Sequence, residues 1–97
     1  MNTPDEIKRR LDVLSPLSVE IEDESALHAG HAGARSGGGH FRLTIVSERF
    51  AGLNRIARHR MVYDALGDLM GSAIHALPMN AMTSEEARHK STTKEYR

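Results

Sequence analysis

The sequence predicts an α+β sandwich, with helices on one face of a small mixed sheet. Apolar alternation at period two is interleaved with apolar stripes at helical spacing. The order along the chain is helix, strand, strand, helical pair, strand and a short final helix. Ninety-seven residues with 39% apolar side chains suffice for one modest core, and so for one domain. That domain is expected over 1–90, with 91–97 as a disordered tail.

Thr3, Pro4, Asp5 and Glu6 have the pattern of a capping box, with proline in the first helical turn. Ile7, Leu11 and Leu14 follow at i, i+4 and i+7 as one apolar stripe. Ser15-Pro16 stops the helix, because proline disfavours helical geometry in the residue before it. Leu17, Val19 and Ile21 then alternate with Ser18, Glu20 and Glu22, the signature of a half-buried strand. Residues 25–40 contain five glycines and no periodicity, which predicts a long connection of the kind that is usually functional or disordered. Phe41, Leu43 and Ile45 resume the alternation. The two strands are expected to pair as an antiparallel hairpin.

A helical region is predicted from about Asn54 to Met70, with Ile56, His59, Tyr63, Leu66 and Met70 as its inner stripe and Val62 and Leu69 widening it. Gly71 suits the left-handed cap. Ile74 to Met79 reads as a third strand, placed at a sheet edge by Pro78. Thr83 to Glu86 repeats the capping pattern ahead of a short helix, and Ser91 to Arg97 reads as frayed.

Composition narrows the function. Thirteen basic and thirteen acidic side chains cancel, so net charge favours neither nucleic acid nor membrane. The distribution is uneven. Residues 1–24 hold seven acids against three bases, whereas residues 35–60 hold six arginines against Glu48 alone. Such a dipolar surface orients a charged partner, although short chains also segregate charge by chance. The absence of cysteine excludes disulfides, thiol catalysis and thiolate metal sites. No stretch is long and apolar enough for a membrane span, and a cytoplasmic protein is expected. Without a phosphate loop, dinucleotide fingerprint or nucleophile elbow, no enzyme is expected.

Histidine carries the available chemistry, at His28, His31, His40, His59, His75 and His89. Neutral imidazole is the commonest side-chain metal ligand. His28 and His31 lie three apart on the glycine-rich loop, yet H-x-x-H alone is a weak metal signal, and spacing by itself favours two solvated loop side chains. His59, within the helical stripe, reads as a partly buried histidine, and His40 as structural or exposed. His75 emerges where a helix hands over to a strand. Gly30 to Gly33 spells the GxxG of a KH loop, but between strands rather than helices.

Several of these segments together resemble a known family. Asp23-Glu24-Ser25 with His28, His40-Phe41, Ile45-Val46-Ser47 with Phe50 and Gly52, Arg58-His59-Arg60, and Ile74-His75-Ala76-Leu77 resemble the signature run of BolA-like proteins. The resemblance covers residues 4–82 in unbroken order. It implies an α-β-β-α-α-β fold related to type II KH domains, a sandwich with a three-stranded mixed sheet. It also implies a non-enzymatic adaptor in iron–sulfur cluster trafficking or iron regulation. Such a protein binds a monothiol glutaredoxin and shares a [2Fe–2S] cluster with it and with bound glutathione. By the same resemblance His75 is a ligand, and the second ligand comes from the loop. The lack of cysteine points to the histidine-loop subgroup, with His28 as loop ligand and His31 in reserve. The alternative from the same resemblance is a DNA-binding transcriptional regulator, with Arg55, Arg58 and Arg60 on phosphate. A homodimer of the free chain stays open.

Overall fold

The computed structural model describes residues 3–24 and 39–95. Helix α1 (Thr3–Leu11) passes through a 3-10 turn at Asp12–Leu14 into strand β1 (Ser18–Asp23). Strand β2 (Gly39–Val46) leads through a second 3-10 turn, Glu48–Phe50, to helix α2 (Arg55–Leu66). A third such turn, Gly67–Leu69, precedes strands β3 (Ile74–Ala76) and β4 (Met79–Met82) and helix α3 (Ser84–Glu95). The expected α+β class and mixed sheet are present.

Strand β2 is the centre of the sheet. It pairs antiparallel with β1, from Ser18 opposite Val46 to Asp23 opposite Phe41, as the hairpin reading expected. It pairs in parallel with both β3 and β4. The expected single third strand, Ile74 to Met79, is therefore two short strands, which follow one another along β2. Leu77 is buried and Pro78 has no N–H to donate, so the ladder is interrupted there. The Pro78 carbonyl still accepts from Leu43 N at 2.9 Å, which keeps both pieces in line.

The expected helical pair is also revised. Helix α2 ends at Gly67 rather than Gly71, and only a 3-10 turn follows. Gly67 has φ 54° and ψ −124°, a conformation open to glycine, and its N–H caps Tyr63 O. Helix α3 follows the sheet where the short final helix was expected, and its backbone extends past Ser91 into the segment read as a tail.

The core is built from Ile7, Leu11 and Leu14, from Phe41, Leu43 and Ile45 of β2, and from Phe50, Val62, Leu66, Ile74 and Leu77. Each side chain of this size contributes about 1.5–3 kcal/mol when fully buried. Helix α2 meets this core with Val62 and Leu66, backed by the half-buried Met61 and Ala65. The expected stripe is therefore out of phase in its first half. Ile56 and Tyr63 are exposed, and the inward position of the first turns belongs to Arg58, whose exposure is only 13%. Ser47 is fully buried, and its hydroxyl donates to Leu14 O at 2.6 Å. It also accepts from Arg49 N at 3.1 Å, so it ties the start of the second 3-10 turn to the end of the first. No described helix is long and apolar enough to cross a membrane.

Candidate metal centre and basic face

The alternation of β3 buries Ile74 and turns His75 outward. Two backbone bonds fix that short strand, from Gly39 N to Ala73 O and from Gly71 N to Ile74 O, both 2.9 Å. At the start of β2, His40 is half-buried and stands opposite Ala76 in the register. The two imidazoles meet, with ring centroids 5.0 Å apart and planes tilted by 39°. His40 was read from sequence as structural or exposed. What the sequence missed was pairing: periodicity shows that each residue begins a strand but not that the strands are neighbours.

The glycine-rich connection departs from and returns to this spot. Glu24 N donates to His40 O at 2.7 Å, and the Glu24 carboxylate takes Arg42 Nε at 3.0 Å. That ion pair raises the Arg42 pKa further above its ordinary value. His28 and His31 lie outside the described residues. Among the described residues no group of three or more His, Asp or Glu side chains is placed to hold a metal ion. Half-buried His40 and exposed His75 thus bring two imidazoles together at the surface.

The expected basic trio of Arg55, Arg58 and Arg60 divides. Arg58 is withdrawn from any open cationic face. Its guanidinium donates to Leu53 O at 2.8 Å and Ala81 O at 3.0 Å, and in fork geometry to Glu86 at 2.6 and 3.0 Å. It also lies 5.9 Å from the centroid of the Phe50 ring. This pairing, with the Thr83 N–H as a second donor, holds the Glu86 carboxyl down at about 2. Arg55 and Arg60 are exposed on α2. His59 is half-buried between them and meets Tyr63 edge to face, with centroids 6.5 Å apart.

The profile of the BolA-like protein family matches residues 11–86. The chain belongs to the BolA-like family. It is 41% identical over 83 residues to the DNA-binding transcriptional regulator BolA of Vibrio cholerae, covering 84% of this chain and 76% of that protein. It is 40% identical over 80 residues to human BolA-like protein 1, covering 82% of this chain and 56% of that one. Against SufE-like protein 1 of Arabidopsis thaliana the identity is 41% over 91 residues, but the match spans 89% of this chain and only 24% of the relative. Among solved structures, BolA1 from Arabidopsis thaliana superimposes with a TM-score of 0.75 at 37% identity, covering 89% of this chain and 96% of that one. The BolA domain of SufE1 from the same plant gives 0.72 at 42%, covering 84% and 92%. In this BolA-like chain the Ile74-His75-Ala76-Leu77 run is the one that builds β3 and presents the exposed imidazole.

Proposed function

We propose that this BolA-like chain is a non-enzymatic adaptor that docks a monothiol glutaredoxin and co-ligates a [2Fe–2S] cluster bridging the two proteins. The observation that carries this reading is the exposed His75 imidazole, with the half-buried His40 ring 5.0 Å away and no third His, Asp or Glu grouped with them among the described residues. An imidazole held outward on a strand suits a cluster shared with a partner. The donors fit the group: neutral imidazoles ligate iron, and histidine in place of thiolate raises the potential of a [2Fe–2S] centre. His75 is the ligand on the rigid strand. His28, with His31 in reserve, is the loop ligand of the histidine-loop subgroup. His40 orients His75 and restricts its rotamers, or takes a ligand position itself. The cluster, as cargo, brings transferable iron and sulfide to trafficking or iron regulation in a reducing compartment.

The test is anaerobic co-purification with a monothiol glutaredoxin, followed by iron and sulfide analysis and visible circular dichroism. The expected result is a cluster-containing heterocomplex whose spectrum is lost in His75→Ala while apo binding survives. An unchanged spectrum and cluster lifetime in that variant overturns the assignment.

A second reading is DNA binding, favoured by the name of the Vibrio cholerae relative and by the exposure of Arg55 and Arg60. With Arg58 committed to the fold, two arginines on α2 remain for phosphate. Two phosphate contacts predict a shallow salt dependence, with a log–log slope of about −1.8. Titration of duplex DNA at two salt concentrations tests it. Selective binding that persists near physiological salt promotes this reading, and weak binding abolished by modest salt removes it.

A further inference from the structure

We propose that the outer face of α2 is a docking surface for an acidic protein segment carrying an apolar anchor residue. Ile56 is 69% exposed and Tyr63 42% exposed, although both belong to a helix whose other side packs the core. They bracket His59 on one face, at spacings of three and four. Arg55 and Arg60 flank the same face. Neither arginine makes a hydrogen bond or ion pair with any described residue, unlike Arg9, Arg10, Arg42 and Arg58. The five side chains line a shallow cavity of about 280 Å³.

A second cavity, of about 220 Å³, continues from it. Arg55 and His59 line both. Its far wall is β4, from Met79 to Met82, with both methionines half-buried and Asn80 exposed, so this part of the surface is the more polar one. The whole surface lies beside the end of β2 that pairs with β4. His40 is four residues from Thr44, which stands opposite Asn80, or about 13 Å along the strand. A partner on this face therefore does not have to cover the histidine pair.

The chemistry of the face selects the occupant. Exposed isoleucine and tyrosine around a shallow depression are the makings of an apolar anchor site. Unpaired arginines at its border select carboxylates, and fork geometry favours bidentate contact. Nucleic acid is the weaker fit. Only two free arginines border the face, and His59 and Tyr63 meet edge to face at 79° rather than offering parallel stacking platforms. A second copy of the chain is the remaining occupant, since residues 1–24 supply an acidic surface.

Fluorescence anisotropy with a short labelled peptide of alternating glutamate and leucine tests the proposal on the full chain. The controls are a peptide with lysine for glutamate and a short single-stranded DNA. The expected result is saturable binding of the acidic peptide, stronger than that of either control. The double variant Arg55→Glu, Arg60→Glu and the separate variant Ile56→Asp each weaken it by about tenfold or more. All three side chains are exposed, so both variants should keep the native circular dichroism and melting transition. His75→Ala should bind the peptide as the parent does, which separates failure of this surface from failure of the cluster reading. Equal binding of acidic and basic peptides overturns the proposal, as does tighter binding of the DNA. It also falls if sedimentation shows a dimer that Ile56→Asp dissociates, because the face is then covered by a second copy.

Discussion

His40 and His75 come from two different strands, yet their rings lie 5.0 Å apart because the parallel pairing of β2 with β3 sets Gly39 opposite Ile74 and His40 opposite Ala76. The shift in register between those two pairs moves the chain out of simple alternation at the point where the imidazoles meet. His75 is exposed and His40 half-buried, so the two rings are unequally accessible.

The two histidines should therefore separate in a mutational test. His75→Ala removes a donor from a fixed strand and should abolish cluster retention in the glutaredoxin complex. His40→Ala removes the neighbour and should shorten cluster lifetime by about 10–100-fold, the usual effect of losing a group that orients a ligand. Decay of the visible circular dichroism signal under air measures both. Equal, complete loss in the two variants makes His40 a ligand in its own right. No change in His40→Ala removes it from the site.

Arg58 joins α2 to three other parts of the fold: Leu53 O, Ala81 O of β4 and the Glu86 carboxylate of α3. Its replacement by methionine keeps the aliphatic stem but leaves two carbonyls and a carboxylate without their donor. The expected loss is about 2–3 kcal/mol of unfolding free energy in urea titration. Lysine should restore little of it, because one ammonium cannot reproduce a fork that reaches several acceptors. Loss of less than about 0.5 kcal/mol in Arg58→Met shows that the network is solvated and contributes little.

The same residue explains what sequence pattern could and could not deliver. The order of elements, the hairpin of β1 and β2 and the capping box at Thr83 are local features, and alternation or spacing exposes them. The Thr83 hydroxyl accepts from Glu86 N at 3.3 Å, and Glu86 Oε1 accepts from Thr83 N at 2.9 Å, as the T-x-x-E pattern anticipates. The phase of α2 was illegible. A charged residue takes the inward position at Arg58 while Ile56 and Tyr63 sit outside, so counting apolar residues places Val62 and Leu66 correctly but misplaces those two. The two readings of Ile56 are linked, because a residue misplaced by a core argument is a natural candidate for a contact surface. The histidine pair is half legible. His75 stands out by its position, but His40 becomes its neighbour only through a long-range parallel pairing.

Gly67 should resist substitution for conformational reasons alone. A Cβ there would meet Arg10 Nη1 at 3.5 Å, an ordinary contact, so space is not the obstacle. The obstacle is φ of 54°. Gly67→Ala should cost about 1–2 kcal/mol in thermal or urea unfolding. Arg10, whose guanidinium donates to Leu66 O and Asp68 at 2.9 Å, should stay in place. A neutral or stabilising result means that the helix end relaxes into a conformation that alanine accepts.

Acid should loosen α1 and α3 before it unfolds the sheet. Glu6 is held at about 2 by Arg9 and then Arg10, and Glu86 at about 2 by Arg58 and then the Thr83 N–H. Both folded values lie below the ordinary 4.5. The contacts therefore contribute in full above that value, and the contribution disappears as pH falls from about 5 toward 2. Partial exposure screens both pairs, so the loss should be gradual and should shrink in high salt. Urea midpoints measured across this range should fall with pH in the parent. They should fall less in Glu86→Gln, which starts lower at neutral pH because its ion pair is already gone. Parallel pH profiles for parent and variant would remove Glu86 from the acid response and leave Glu6 as its source.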